Sequence, residues 1–225
     1  MKKVAFPLLL AVLLTINGCQ ETDLPGTIPN PPVTSDQGIN DEWDDFPWPA
    51  WIFSHWVWED ESTQASAQQL IDDYLAHDIP VGAIILDSPW ETGYNTFDFD
   101  STLYPDPQGM IDYIHSKDVK VMMWIVSMIN TDVQPMYDYA DSMGYFMETF
   151  PGTGSAVLEW WKGDGSLLDF FNPDAVDWWK SHVDKTLALG IDGWKCDGTD
   201  FSAILASWSP GANEFVSRLD YSHAY

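Results

Sequence analysis

One continuous apolar run in the chain reads Val81-Gly82-Ala83-Ile84-Ile85-Leu86, and Asp87 follows it directly. An apolar run of this length is typical of a strand that is buried on both faces of a parallel sheet. Residues 120–126 and 191–197 predict two further strands, and the second of them ends in another acid, Asp197. The aromatic run 51–58 is also extended in character and predicts a first strand.

Segments with apolar residues at helical spacing alternate with these strands. They cover residues 62–77, 110–116, 133–143 and 174–189. Strands and helices that alternate with short connections predict a parallel sheet with right-handed crossovers. Because ligands bind at the carboxyl ends of the strands in a parallel barrel, Asp87 and Asp197 are candidate site residues. The alternative is that each of these acids only caps the turn that follows it.

The charge balance excludes several classes of partner. The 225 residues include 9 Lys and Arg against 35 Asp and Glu, a formal net charge of −26. Since nothing in this composition neutralises a run of phosphates, we expect no nucleic-acid partner. A basic face that would dock on an anionic lipid surface is equally unexpected. The 13 Trp residues favour a neutral ligand such as a sugar, although most of them belong to a core in the alternative interpretation.

The N-terminus predicts export. Lys2 and Lys3 precede an apolar run over residues 4–16, and Cys19 follows a small residue, as in a secretory signal. The sequence around Cys19 resembles a bacterial lipobox, in which the thiol is acylated; ordinary signal cleavage nearby is the alternative. Residues 20–47 are acidic, rich in proline and free of Lys and Arg, which predicts a solvated tether.

These segments give the predicted domain organisation and location. Residues 1–19 form a lipoprotein signal peptide, residues 20–47 the tether, and residues 48–225 a folded domain. We expect a protein of the bacterial cell envelope, at the outer membrane or cell surface, that contacts the membrane only through its lipid anchor.

No cofactor and no metal are predicted. The five His residues show no metal-binding spacing, and no glycine-rich loop ends in a phosphate-binding Lys. The only two cysteines, Cys19 and Cys196, do not support a disulfide framework.

Four motifs in residues 51–200 resemble the first half of the catalytic barrel of glycoside hydrolase family 31. The resemblance implies a (β/α)8 TIM barrel, of which the chain holds about the first four βα units. The motifs are, in order, Ile85-Leu86-Asp87-Ser88-Pro89-Trp90, then Phe97-Asp98-Phe99-Asp100 with Tyr104-Pro105-Asp106-Pro107, then Trp160-Trp161-Lys162-Gly163 with Leu168-Asp169-Phe170-Phe171-Asn172-Pro173, and finally Gly190-Ile191-Asp192-Gly193-Trp194-Lys195-Cys196-Asp197-Gly198.

The resemblance also implies an activity, a substrate class and a set of site residues. The expected enzyme is a retaining glycosidase of the α-glucosidase or α-galactosidase type, acting on an oligosaccharide or glycoside. Asp197 matches the catalytic nucleophile, and Asp87 matches the acid that binds substrate hydroxyls. Trp124 and Trp161 match positions that line the innermost sugar subsite.

Lys195 departs from the usual family pattern, and a Lys two residues before the nucleophile resembles the α-galactosidases of related groups. Because side chains two apart in a strand point the same way, Lys195 and Asp197 are predicted to share the barrel interior. Lys195 then donates to a sugar hydroxyl and keeps Asp197 ionised. In the alternative, Lys195 pairs with Asp192 or another acid and does not contact sugar. Cys196 is predicted to face the helices as a buried thiol.

A retaining mechanism also needs a second carboxyl group as acid and base. The resemblance places it on a later strand, beyond Tyr225, and Asp200 is a poor substitute because it lies on the same loop as Asp197. We therefore expect the chain to be the N-terminal part of a longer protein and to be inactive alone. Two alternatives are a non-catalytic sugar-binding lipoprotein on a degenerate glycosidase barrel, and a structural lipoprotein whose Trp residues are all core.

Overall fold

The computed structural model describes residues 49–198 and 207–225. The strands are β1 (His55–Glu59), β2 (Val81–Leu86), β3 (Lys120–Val126), β4 (Met128–Asn130), β5 (Leu158–Trp160), β6 (Gly163–Leu167), β7 (Gly193–Asp197), β8 (Ser207–Ser209) and β9 (Glu214–Val216). The helices are α1 (Gln64–Ala76), α2 (Pro107–His115), α3 (Met136–Ser142), α4 (Pro173–Leu187) and α5 (Arg218–Ala224), preceded by a 3-10 turn at Ala50–Phe53.

Four strands form the predicted parallel sheet, in the order β1-β2-β3-β7. Every neighbouring pair in it runs parallel, with Trp58 opposite Ile85 and Trp124 opposite Lys195. Helix α1 connects β1 to β2, and α2 connects β2 to β3, as expected for βα units. The predicted strand–helix alternation is confirmed.

The two central strands are buried because their sequences are apolar on both faces. All but one of the six residues of β2 are buried, as are six of the seven residues of β3. Both strands begin and end at the residues predicted from the apolar runs. They form the centre of the hydrophobic core together with Ile71 of α1 and Ile111 and Ile114 of α2.

Capping side chains fix the residue at which each of three helices begins. Thr63 and Ser66 form a capping box at the start of α1, in which each side chain accepts from the backbone N–H of the other. Asp106 caps α2, so this helix begins at Pro107, three residues earlier than its apolar pattern predicted. Asn172 caps α4 in the same way.

Two small antiparallel sheets were not predicted. Strands β4, β6 and β5 form one of them, in the long segment between β3 and α4, and β8 and β9 form the other. The buried carboxylate of Asp169 links the second sheet to the segment between β6 and α4. Its oxygens accept hydrogen bonds from Ser209 Oγ and from the backbone N–H of Gly211, both at 2.8 Å.

Asp192 connects the amino ends of β3 and β7. Its Oδ2 accepts from the Val121 backbone N–H at 2.9 Å and lies 2.7 Å from His115 Nε2. Its Oδ1 lies 3.0 Å from Lys120 Nζ. Asp192 thus has its polar partners at this end of the sheet, and it does not pair with Lys195.

The prediction of a buried Cys196 is wrong. Its side chain does point away from the side that carries Lys195 and Asp197, but it is exposed. The reason is that β7 is an edge strand of the four-stranded sheet, and α4 and α5 leave an open cavity of about 210 Å³ over this position.

Within the described ranges, no helix has the length and apolar character needed to cross a membrane. The signal peptide, Cys19, the tether and Asp200 lie outside the described residues.

Candidate active site

Five side chains meet on one face of the parallel sheet, at the carboxyl ends of its strands. Alternation along each strand explains why they share that face, since neighbouring residues of parallel strands point the same way. Four of the five were predicted as site residues, and Trp58 was not. The five are Trp58 of β1, Asp87 after β2, Trp124 of β3, and Lys195 and Asp197 of β7.

Lys195 lies between the two carboxylates and contacts both. Its Nζ is 2.5 Å from Asp87 Oδ2 and 3.3 Å from Asp197 Oδ2. The oxygens of the two acids are therefore separated by no more than the sum of these distances. Asp87 is almost fully buried, with a side chain that is 8% exposed, whereas Lys195 and Asp197 are 34% and 38% exposed. The lysine and Asp197 are thus open to a ligand from solvent.

Asp87 is held from three sides. The Ser88 backbone N–H donates to its Oδ1 at 2.8 Å, and the Trp58 indole N–H donates to its Oδ2 at 2.5 Å. Lys195 supplies the third hydrogen bond, also to Oδ2. A carboxylate accepts about four hydrogen bonds, so Asp87 has little capacity left for a ligand while these donors stay in place.

Trp58 is the residue of this candidate site that sequence reasoning missed. Besides its bond to Asp87, its ring lies 5.8 Å from Lys195 Nζ, within the range of a cation–π contact. It is 55% exposed, so its outer face is available to a ligand. The available signal was the alternation His55-Trp56-Val57-Trp58 along β1, which brings Trp58 near the carboxyl end of the strand. Trp58 lies opposite Ile85 and therefore on the face that carries Asp87.

Asp197 has a pKa below its usual range. Burial raises the pKa of this carboxyl, but three donors together lower it by more. The Trp124 indole N–H and the Gly198 backbone N–H each donate to it at 2.8 Å, and the Lys195 ammonium lies beside it. At neutral pH Asp197 is therefore an ionised, partly exposed carboxylate.

The pKa of Lys195 is raised. Partial burial favours the neutral amine, but the hydrogen bonds and charges of Asp87 and Asp197 outweigh it. Lys195 is therefore a stable cation between two acids, and it does not act as a base at neutral pH.

Aromatic rings line the side of the site next to Asp197. Trp124 is buried and lies parallel to Trp160, with centroids 6.5 Å apart and an interplanar angle of 9°. Tyr94 packs edge-on against both of them. Trp161 packs against Trp160 and is 53% exposed. A Cβ on Gly198 would lie 3.7 Å from the Trp161 ring, which places this ring beside the nucleophile candidate.

The chemistry of this arrangement suits a neutral, hydroxylated ligand. Lys195 and the indole N–H groups are hydrogen-bond donors, Asp87 and Asp197 are acceptors, and the exposed faces of Trp58 and Trp161 are apolar. The described residues contain no cluster of three or more His, Cys, Asp or Glu side chains that would hold a metal ion.

Several known proteins are similar to this chain. Alpha-xylosidase XylQ of Lactiplantibacillus pentosus is 30% identical over 185 residues, which are 79% of this chain and 24% of that protein. The alpha-glucosidase of Saccharolobus solfataricus is 28% identical over 161 residues, 70% of this chain and 23% of that protein. Among solved structures, the Flavobacterium johnsoniae GH31 dextranase complexed with glucose matches with a TM-score of 0.68 at 22% identity. That match covers 77% of this chain and 22% of the dextranase chain.

The chain thus spans about a quarter of the length of these relatives. The family model described as "Glycosyl hydrolases family 31 TIM-barrel domain" matches residues 46–221, which include every strand of the parallel sheet and all five residues of the site. The chain belongs to glycoside hydrolase family 31, and its four parallel strands are strands of the TIM barrel of that family.

Proposed function

We propose that the protein is a retaining glycoside hydrolase that acts on α-linked glycosides, with Asp197 as its nucleophile. The observation that carries the proposal is the state of Asp197: an ionised, solvent-accessible carboxylate at the end of a barrel strand, oriented by Trp124, Gly198 and Lys195. In a retaining mechanism this carboxylate attacks the anomeric carbon and forms a covalent glycosyl-enzyme, which water then hydrolyses.

The neighbouring side chains have separate roles in this proposal. Lys195 and Asp87 bind sugar hydroxyls, and the Trp58 indole yields its hydrogen bond to Asp87 when the ligand arrives. Trp124 orients Asp197 by donating to its Oδ2, and Trp161 offers an apolar face to the sugar ring. Lys195 also places a positive charge between the two acids, which favours the ionised form of the nucleophile.

The acid that protonates the leaving oxygen is proposed to lie outside the described residues. Such an acid stands about 5–5.5 Å from the nucleophile in retaining enzymes. Asp87 is close to Asp197, but its oxygens already accept from Ser88, Trp58 and Lys195, so it is poorly suited to deliver a proton.

The sugar is proposed to be glucose, xylose or galactose in α-linkage. The names of the relatives, alpha-xylosidase and alpha-glucosidase, support the first two. Lys195 supports galactose, because a cation two residues before the nucleophile resembles the α-galactosidase arrangement. Release of 4-nitrophenol from the three α-glycosides separates these specificities.

A mechanism-based inhibitor tests the assignment of Asp197. A 5-fluoro-α-glycosyl fluoride carries its own good leaving group, so it reacts with the nucleophile without help from the acid. We expect mass spectrometry to find one label, on the peptide that contains Asp197, and Asp197→Asn to abolish it. Asp184→Asn, an exposed substitution on α4, is the matched control and should label normally. Label on another carboxylate would refute the assignment.

A non-catalytic sugar-binding protein is the second candidate. The observation that favours it is that the described residues bring only one carboxylate, Asp87, beside Asp197, and Asp87 already accepts three hydrogen bonds. Saturable binding of glycosides without any covalent label would support this candidate over the first.

We also propose that Cys19 is acylated and anchors the protein to the bacterial envelope. The support is the lysine pair, the apolar run and the acidic tether in the sequence. Replacing Cys19 by Ser is expected to release the exported protein from the membrane pellet into the soluble fraction. Unchanged sedimentation with membranes would contradict the anchor.

A further inference from the structure

A second aromatic cavity lies between α3 and α4. Pro135, Met136 and Tyr139 line it on one side, and Trp178 and His182 line it on the other. Its volume is about 400 Å³, which falls within the ~300–1,000 Å³ typical of small-molecule sites. No hydrogen bond or ring contact in the described part of the chain joins its lining residues to Asp87, Lys195 or Asp197, so it is separate from the proposed active site.

Two rings give this cavity an apolar platform. The centroids of Tyr139 and Trp178 are 5.9 Å apart, with an interplanar angle of 32°. Tyr145 is buried and packs against both rings, at 6.2 Å from Tyr139 and 5.6 Å from Trp178. Tyr139 nevertheless remains 48% exposed. The platform is thus supported from the protein side and open towards solvent.

His182 adds a polar atom without a partner. Its ring stands at 74° to Trp178, with centroids 4.9 Å apart. Its Nδ1 is buried and has no hydrogen-bond partner among residues 49–198 and 207–225. Burial lowers the pKa of His182, so the imidazole is neutral at pH 7 and has one donor and one acceptor nitrogen. A buried polar atom of this kind normally finds a partner, in the protein or outside it.

The charges around the cavity disfavour an anionic ligand. Helix α3 carries Asp138 and Asp141 and has no Lys or Arg, and α4 carries three Asp against Lys180 and Lys185, so acids outnumber bases on the two helices. The whole chain is strongly acidic as well. An apolar platform beside one neutral hydrogen-bonding group, in an acidic surrounding, is complementary to the apolar face and the hydroxyls of a neutral sugar ring.

We propose that the cavity formed by Pro135, Met136, Tyr139, Trp178 and His182 is a second carbohydrate-binding site, which takes one ring of a neutral oligosaccharide. The ring stacks on Tyr139 and Trp178, and one hydroxyl bonds the half-buried imidazole of His182. This site would hold a saccharide chain at a distance from the reacting bond. It does not depend on Asp197 being a nucleophile.

Nuclear magnetic resonance titration tests this site separately from the active site. The protein, labelled with nitrogen-15, is titrated with maltotriose, isomaltotriose and xylotriose, and the indole N–H signals of Trp178 and Trp161 are followed. We expect both signals to shift saturably with at least one of these sugars. Tyr139→Ala should weaken the affinity reported by Trp178 about tenfold, the factor that corresponds to 1.4 kcal/mol, and leave the response of Trp161 unchanged.

Controls separate the possible occupants. Phe53→Ala removes an aromatic ring that is 78% exposed and lies outside the cavity, and it should change neither affinity. A Trp178 signal that stays fixed with all three sugars would overturn the proposal, whether or not Trp161 responds. So would a signal that moves only with tetramethylammonium or hexanol, since the cavity would then be a cation or alkyl site. The wild-type titration decides this even if Tyr139→Ala fails to fold.

Discussion

Glu91 makes the stability of this domain depend on pH. Its side chain is buried, and its Oε2 accepts a hydrogen bond from the Phe97 backbone N–H at 2.7 Å. Burial raises the pKa of Glu91 from 4.5 to about 8, although hydrogen bonds from the backbone of residues 95–97 lower it in part. The folded protein therefore keeps this carboxyl protonated at pH values where the unfolded chain has ionised it.

The direction of the effect follows from which state binds the proton. Between pH 4.5 and about 8 the folded state binds more protons at Glu91 than the unfolded state, so the free energy of unfolding falls as pH rises. The stabilisation is complete below pH 4.5 and lost above about 8. At 1.36 kcal/mol per pKa unit, the whole change has an upper limit of roughly 5 kcal/mol.

Glu91→Gln tests this reasoning, because the amide is neutral at every pH and still accepts from Phe97. In urea unfolding we expect Glu91→Gln and the wild type to have similar stability at pH 4.5. At pH 8.5 the variant should be more stable, by roughly 3–5 kcal/mol. Glu214→Gln, at an exposed position, is the matched control and should follow the wild type at both values. A difference between Glu91→Gln and the wild type that does not grow with pH would refute the reasoning.

Three further predictions concern the site. Trp124→Phe removes a donor from Asp197 and should raise the carboxyl pKa by about one unit, measured by carbon-13 titration; an unchanged pKa would show that the indole bond does not matter. Lys195→Met leaves Asp87 buried without a cation and should cost roughly 3 kcal/mol in urea unfolding. Adding Asp87→Asn should recover most of that loss, and a fully additive double variant would contradict the pairing. Gly198→Ala forces a methyl group onto a backbone with φ of +73° and into the neighbouring strand, so its thermal melt should show a loss of at least ~2 kcal/mol.

The sequence predicted the parallel sheet well because its central strands are buried on both faces. A short run that is apolar throughout is typical of a strand buried on both faces, so the ends of the two runs marked the bounds of β2 and β3 correctly. Strand β6 was missed for the opposite reason: it begins Gly163-Asp164-Gly165, a pattern with low strand propensity. It becomes a strand through pairing with β4, and Gly165 fits because a Cβ there would come within 2.8 Å of the Ile129 carbonyl oxygen.

For the site, the sequence predicted which residues lie at the strand ends and that Lys195 lies beside Asp197, but it did not identify Asp87 as the second partner of Lys195. The Lys195–Asp87 contact joins β7 to the residue after β2, with β3 between them. This pairing depends on the order of strands in the sheet and on side-chain length, and neither follows from local pattern. The same limit explains the error at Cys196, since exposure on an edge strand depends on what covers it.

Asp192 has a consequence for the chemistry at the far end of its strand. It binds the Val121 backbone twice, through its own N–H to the Val121 carbonyl and through its carboxylate to the Val121 N–H. This clamp fixes how β7 is aligned along β3. A shift by one residue would turn Lys195 and Asp197 towards the helices and bring Cys196 to the face of the candidate active site. The Asp192 carboxylate lies five residues from Asp197, roughly 16 Å at ~3.3 Å per residue. It therefore selects which side chains of β7 face the candidate active site.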